Sequence, residues 1–417
     1  MAALVAAVGC VAWVASSTAS TRSRTPTPSG TLHIFWTSEF AAAMNPTIRA
    51  FERAYPKVHV ALQSTPGSNI QNVLVPEIQG GNPPDLAYTC AGSGTPYCEG
   101  ALGPAGAKDL LPVSGPWTSG VIPSVSKYLK YGGKFYAAPI AIAPEAIFYN
   151  TSIFKSLKLV PPTRFSQLLT DCKKIAAAGK APFVLEPPII TPSYFFDTLS
   201  THLVFAKDPN WISQEIAHKT TFATTPGWRE VVNDWVAMKN DQCINANEAG
   251  NTPTEALTAM ARGQAAMILV SSDAYSQIKA INPKVKLSSF DMPGDTASER
   301  GSTIGIIMNM DHFKGGHNPV AADAFLNFFE QPAQLARFAK LADVLAVPEY
   351  AAGKFPSYLA PLESDAKYRT IPEPSTGYPS PTWLTEVDPS LISLLTGQTT
   401  VAQELQTMQN GFFGTTG

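Results

Sequence analysis

From Thr31 onward the chain alternates short apolar runs with amphipathic stretches. Thr31-Leu32-His33-Ile34-Phe35-Trp36 is β-branched and aromatic, the profile of a buried strand. Asn45 with Pro46 reads as a helix start, and Ile48, Phe51 and Tyr55 follow at helical spacing up to Pro56. Lys57 to Leu62 predicts a second strand, and Ser68 to Gly80, carrying Ile70, Leu74 and Ile78, a second helix. After the Asn82-Pro83-Pro84 turn, Leu86-Ala87-Tyr88 predicts a third strand, and Asp85 reads as a turn carboxylate with a structural role. Gly132-Gly133 suggests a hairpin leading into the apolar run from Phe135 to Asn150. Helices are predicted over Phe165 to Ala178, Gly227 to Lys239, Thr254 to Arg262, Asn318 to Phe329 and Ala333 to Leu341. Ala265 to Val270 reads as another buried strand, and Thr400 with Gln403 as the capping box of a final helix.

This alternation predicts an α/β fold with parallel strands and crossover helices. Ligands of such sheets bind beyond the carboxyl ends of the strands, which directs attention to Trp36, Thr37, Ser38 and Glu39 after the first strand and to Tyr88 and Thr89 after the third. The 417 residues exceed what one core usually organises, so two domains are expected. Charged residues make up only 15% of the chain and the net charge is -2, which leaves no electrostatic footprint for nucleic acid.

Ala2 to Ala15 is almost purely apolar and too short to remain as a spanning helix, the pattern of an export signal. Within it, Ala7-Val8-Gly9-Cys10 resembles the lipobox of bacterial lipoproteins, in which the cysteine is lipidated; the other reading is an ordinary signal cleaved near Ala19. Thr18 to Gly30 is polar and reads as a flexible tether. Export permits disulfides, and apart from Cys10 the chain has Cys90, Cys98, Cys172 and Cys243, which allow three pairings. The short Gly-rich separation favours Cys90 with Cys98, leaving Cys172 with Cys243; four unpaired thiols are the alternative. Neither these cysteines nor the six histidines have metal-like spacing, so no metal or cofactor is expected.

Several strings, in this order, resemble the extracellular solute-binding proteins of carbohydrate ABC importers, the group that includes maltodextrin-binding proteins. They are Leu32 to Trp36 with Phe51, Tyr55 and Pro56; Gly81 to Leu86; Gly133 to Pro139 leading to Phe148-Tyr149-Asn150; Pro161 to Thr163; Ala259 to Met267; Met292 to Gly294; Gly301 to Ile306; and Ala324 to Phe329. The resemblance implies a two-lobed periplasmic-binding-protein fold with three interlobe crossings, near Pro139 to Ala146, Ile304 to Met308 and Val347 to Tyr350. The expected organisation is a signal or lipoprotein segment (1–17), a tether (18–30), a first lobe (31–142 with 302–346) and a second lobe (143–301 with 347–417). It also implies a monomer held outside the cytoplasmic membrane by an N-terminal lipid. That monomer would deliver a small carbohydrate to the ABC permease membrane subunits, without catalysis.

A sugar presents apolar C–H faces and many hydroxyls, so its cleft needs aromatic plates and hydrogen-bonding groups. Trp36 and Tyr88 are candidate plates, each with the alternative of a core role. Glu145, just past the first crossing, is a candidate acceptor of hydroxyl protons, with Ser38, Glu39 and Tyr149 beside the same elements. In the loop after Val270, relatives often carry a glycine and a tryptophan; this chain has Ser272, Asp273 and Tyr275 instead, which leaves the exact ligand open. Ser302 and Thr303 are weaker candidates, because hydroxyls there can simply satisfy backbone groups. Trp228 and Trp235, seven residues apart, read as core packing. Two alternatives accompany the sugar reading. One is a polyamine or other small solute on the same fold, and the other is an exported glycoside hydrolase using Glu39 and Glu145 as paired carboxylates.

Overall fold

The computed structural model describes residues 27–66, 69–89, 109–185, 191–245, 251–348, 352–380 and 382–414. The expectations placed on Cys10, Cys90, Cys98, the signal segment and part of the third crossing at Val347 to Tyr350 lie outside those residues.

The chain opens with β1 (Gly30–Thr37), which runs directly into α1 (Ser38–Ala54). Pro46 therefore sits inside this helix instead of starting it. Ala41, Ala42 and Ala43 are strong helix formers, and Met44, Thr47, Ile48 and Phe51 are buried against the core. That packing outweighs the one backbone hydrogen bond that proline removes. Next come β2 (Val58–Thr65), α2 (Ile70–Gln79) and β3 (Leu86–Thr89). Both β2 and β3 pair parallel with β1. β4 (Lys130–Tyr131) and β5 (Lys134–Phe135) pair across Gly132 and Gly133, whose φ angles of 55° and 79° suit the primed two-residue turn that glycine adopts without strain.

The long strand β6 (Ala137–Asn150) leads into α3 (Phe165–Ala177), β7 (Ala181–Phe183) and α4 (Thr191–Ser200). Then follow α5 (Pro226–Asn240), α6 (Pro253–Ala261), β8 (Ala265–Ser271), α7 (Ala274–Ile281) and β9 (Leu287–Phe290). A second long strand, β10 (Ser302–His312), precedes α8 (Pro319–Phe329), α9 (Pro332–Ala342) and β11 (Leu345–Ala346). The last elements are β12 (Thr370–Pro372), α10 (Asp388–Leu395) and α11 (Val401–Phe413). The α11 start carries the capping box of Thr400 and Gln403.

One sheet runs in the order β2-β1-β3-β10-β6-β8-β7, with β9 and β11 pairing on β6 and β12 on β10. β10 lies antiparallel to both β3 and β6, and β6 to β8, so the parallel pattern read from the N-terminal strands is interrupted at the centre of the sheet and returns where β7 pairs with β8 and β12 with β10. β6 joins two cores along its length. Ile140, Ala141 and Ile142 pack with Leu32, Phe51, Met308, Phe325 and Phe338 in the first. Farther along, alternate residues enter opposite faces of the second half. Ile147 packs with Met267, Leu269, Trp228 and Trp235, while Phe148 packs with Ile268, Val270, Met260 and Ile278. A strand buried on both faces needs the continuous apolar run that β6 and β8 carry. Each fully buried side chain such as Phe148 contributes about 2–3 kcal/mol.

Asp85 ties the first core together. Its carboxylate accepts from the His33 backbone N–H at 2.8 Å and from that of Asn318 at 2.5 Å, linking β1 to the start of α8. In the second half Cys172 of α3 and Cys243, just after α5, form a disulfide.

Candidate functional site

The strand ends of the two cores meet in one group of side chains. From the first core come Tyr88 at the end of β3, Glu39 in the first turn of α1, and Asp343, which caps α9 in the left-handed region at φ 55°. From the second come Asp273, just after β8, Tyr275 in α7 and Tyr358. The Tyr275 and Tyr358 rings are stacked at 3.8 Å and 3°, with Phe148 behind them at 6.1 and 6.3 Å. Tyr88 donates its hydroxyl to the Ile307 carbonyl at 2.8 Å, which fixes its ring across the crossing strand β10.

Electrostatics link these groups across the two cores. Burial first, then the negative charges of Asp273 and Glu39, hold the Tyr88 phenol well above its ordinary value. Tyr275 is raised by burial and then by Asp343, and Tyr358 by burial, Asp343, Tyr275 and Asp273. Burial, and after it the charge of Asp343, also raise Asp273 itself. The three phenols thus remain protonated, that of Tyr88 already donating to the Ile307 carbonyl, and the carboxylates offer acceptors beside them. Aromatic faces with hydroxyl donors and carboxylate acceptors suit a polyhydroxylated ligand or an organic cation.

The other residues singled out from the sequence are distributed differently. Trp36 is fully buried, edge-on to Tyr88 at 5.3 Å and to Phe338 at 6.1 Å, so it supports the Tyr88 ring from the core and presents no free face. Ser38 is exposed, and with Thr37 donates to Glu39. Ser272 is buried and its N–H donates to the Pro144 carbonyl, which fastens the loop to β6. Tyr149 packs on Phe154 at 4.4 Å and Phe290 at 5.7 Å in the second core. Ser302 is buried at the start of β10. Trp228 and Trp235 are core residues, and the Trp235 indole donates to the Leu391 carbonyl.

Glu145 belongs to a second, buried group. Its carboxylate oxygens, with those of Asp197 on α4 and Glu373 just after β12, provide ligand atoms within 4.8 Å of one another. Among the described residues this is the one set whose spacing could hold a cation. Thr303 lies opposite Glu145 in the β10–β6 register, and its hydroxyl meets that of Thr201 at 2.9 Å. Glu39 and Glu145 therefore fall in different groups.

Sequence reasoning missed Asp343, Tyr358, Asp197 and Glu373. Asp343 had one local signal, an Asp at the end of an amphipathic helix. The other three come together only through long-range packing.

The signature of the bacterial extracellular solute-binding protein family matches residues 36–336, and the chain belongs to that family. An uncharacterised ABC transporter extracellular-binding protein of Pyrococcus horikoshii is 24% identical over 305 residues, covering 69% of this chain and 66% of that one. The melibiose/raffinose/stachyose-binding protein MelE of Bacillus subtilis is 22% identical over 253 residues, 58% of this chain and 56% of its own. The chain thus spans just under two thirds of the first relative and little more than half of the second. Apo RafE of Streptococcus pneumoniae superposes with a TM-score of 0.75 at 19% identity, covering 93% of this chain and 98% of RafE. A sugar transporter of Bacillus licheniformis in complex with stachyose gives 0.70 at 19% identity, over 91% and 98%. These structures share the two-lobed α/β fold.

Proposed function

We propose that this protein is the substrate-binding component of an ABC importer, capturing an extracellular mono- or oligosaccharide between its lobes and handing it to membrane permease subunits. The observation that carries this reading is the meeting of phenols and carboxylates from both cores: Tyr88, Glu39 and Asp343 from one, Tyr275, Tyr358 and Asp273 from the other. Closure around a ligand that contacts both lobes shifts the population toward the closed form by the ligand's differential affinity. Family membership supports the reading, as do the sugars named for MelE and for the stachyose complex. The lobes are taken as 31–142 with 302–346 and 143–301 with 347–417. Lipidation of Cys10 would hold this body, as a monomer, at the outer face of the membrane.

No covalent step is needed. The pair of carboxylates a glycosidase would use, Glu39 and Glu145, sit in separate groups, one exposed and one buried. A polyamine is the second reading, favoured by the three carboxylates around the tyrosines. A thermal-shift screen of the protein with raffinose, stachyose, chito-oligosaccharides, spermidine and amino acids separates the cases, because a ligand that binds only the folded state raises Tm. A saturable shift with a sugar that is recovered intact is the expected outcome. A shift with spermidine alone, or cleavage of the sugar, overturns the proposal.

A further inference from the structure

Three carboxyl groups meet where both crossing strands reach the second core, and among the described residues none of them has a positive partner. Glu145 is on β6. Glu373 is tied to β10, because its N–H donates to the Ile304 carbonyl at 2.8 Å. Asp197 is on α4 and accepts from the Ser375 N–H at 3.2 Å and the Ser375 hydroxyl at 2.9 Å. Glu373 accepts from the Thr376 hydroxyl at 3.1 Å. Glu145 is buried at 1% exposure, and with every carboxyl ionised neither of its oxygens has a donor. A proton on Glu145 changes that, since it then donates to Glu373.

Besides those hydroxyls, the titratable groups that bear on the cluster from neighbouring elements are phenolic or acidic. Tyr128 approaches Asp197 and Glu373 from the turn Lys127–Leu129, which belongs to the first core. Tyr378 faces Asp197, as does Asp388 of α10, which is itself bound by the Ser193 hydroxyl. The cations nearby are engaged elsewhere. Lys127 lies over the Tyr128 ring at 4.7 Å, and Arg369 donates to the Ser298 and Arg300 carbonyls. None of the ion pairs among the described residues includes Glu145, Asp197 or Glu373. Like charges this close in a buried site disfavour one another's ionisation.

We propose that Glu145, Asp197 and Glu373 hold a shared proton at neutral pH, bridging Glu145 and Glu373, and that its release at higher pH loosens the seam between the crossing strands and the second lobe. Burial and the neighbouring negative charges both push Glu145 upward, in keeping with this. A carboxyl whose folded-state affinity for protons exceeds that of the unfolded chain contributes stability that is complete below the unfolded value. That contribution is lost as pH rises through the folded one.

The test uses the full protein with Glu145→Gln and Glu373→Gln, each of which keeps the side-chain volume and removes one ionisation. Infrared spectra at neutral pH should contain a protonated-carboxyl carbonyl band that weakens in both variants; Asp291, Glu330 and Asp388 contribute to the same region, so the difference from wild type is the signal. From the ordinary carboxyl range up to the pH at which that band titrates in the wild type, its unfolding equilibrium should shift toward unfolding by up to about tenfold per pH unit relative to E145Q, and level off above it. Unchanged bands, or parallel stability profiles, overturn the proposal. So does stabilisation of the wild type alone by calcium, magnesium or manganese at neutral pH, because a metal ion would then balance the charge. If neither variant folds, a wild-type band that fails to titrate between about pH 5 and 9 overturns it on its own.

Discussion

Replacing Cys172 and Cys243 together with alanine should destabilise the second lobe more than any single surface change. The two sulfurs join α3 to the end of α5 across a sequence separation of 71 residues, and both residues are fully buried. Closing a loop of that length lowers the entropy of the unfolded chain enough to contribute about 4 kcal/mol. A unit of about 200 residues has an unfolding entropy near 0.4 kcal/mol per degree, so the transition of this lobe should fall by roughly 10 °C. Calorimetry under oxidising conditions measures the shift, and non-reducing peptide mapping verifies the bond. The reasoning fails if the double variant melts within about 2 °C of wild type, or if the mapped peptides carry free thiols at both positions.

Three further outcomes follow from particular contacts. Asp85→Ala removes a fully buried carboxylate and leaves the backbone N–H groups of His33 and Asn318 without their acceptor, and should cost about 2–4 kcal/mol in denaturant unfolding, with Asp85→Asn intermediate because it keeps one acceptor oxygen. Trp36→Ala should cost about 3–5 kcal/mol, whereas Trp36→Phe should retain ligand binding, since the indole is sealed in the core; loss of binding in a stable W36F protein would contradict that role. Burial holds His202 neutral down to about pH 4. The unfolded chain takes up that proton from about pH 6.5, so acidification between these values should remove about 3 kcal/mol, and His202→Gln should flatten that slope in a pH series of melting curves.

Local pattern and long-range packing divide what the sequence could reveal. The runs at Thr31 to Trp36 and Ala265 to Val270, the glycine hairpin and the Thr400 capping box are local signals, and each matches the element found there. The start of α1 did not follow its local signal. Pro46 looks like a first-turn residue, but the alanines before it and the burial of Met44, Ile48 and Phe51 extend the helix back to Ser38. The antiparallel crossing strands also escaped the pattern, because a run buried on both faces does not encode its direction. At the site, Tyr88 and Asp273 were legible as residues just after strands. Trp36 occupies the same kind of position, yet its side chain turns into the core, since alternation along β1 decides which face a residue takes. Asp343, Tyr358, Asp197 and Glu373 lie far in sequence from the groups they meet, and no local spacing announces them.

The most direct test of the central claim is a calorimetric titration of the wild-type protein and of Asp273→Ala with the oligosaccharide that gives the largest thermal shift. One saturable site in the wild type, weakened at least tenfold in a folded D273A protein, is the result this account predicts. No binding of any sugar by the wild type, or undiminished binding by D273A, would contradict it.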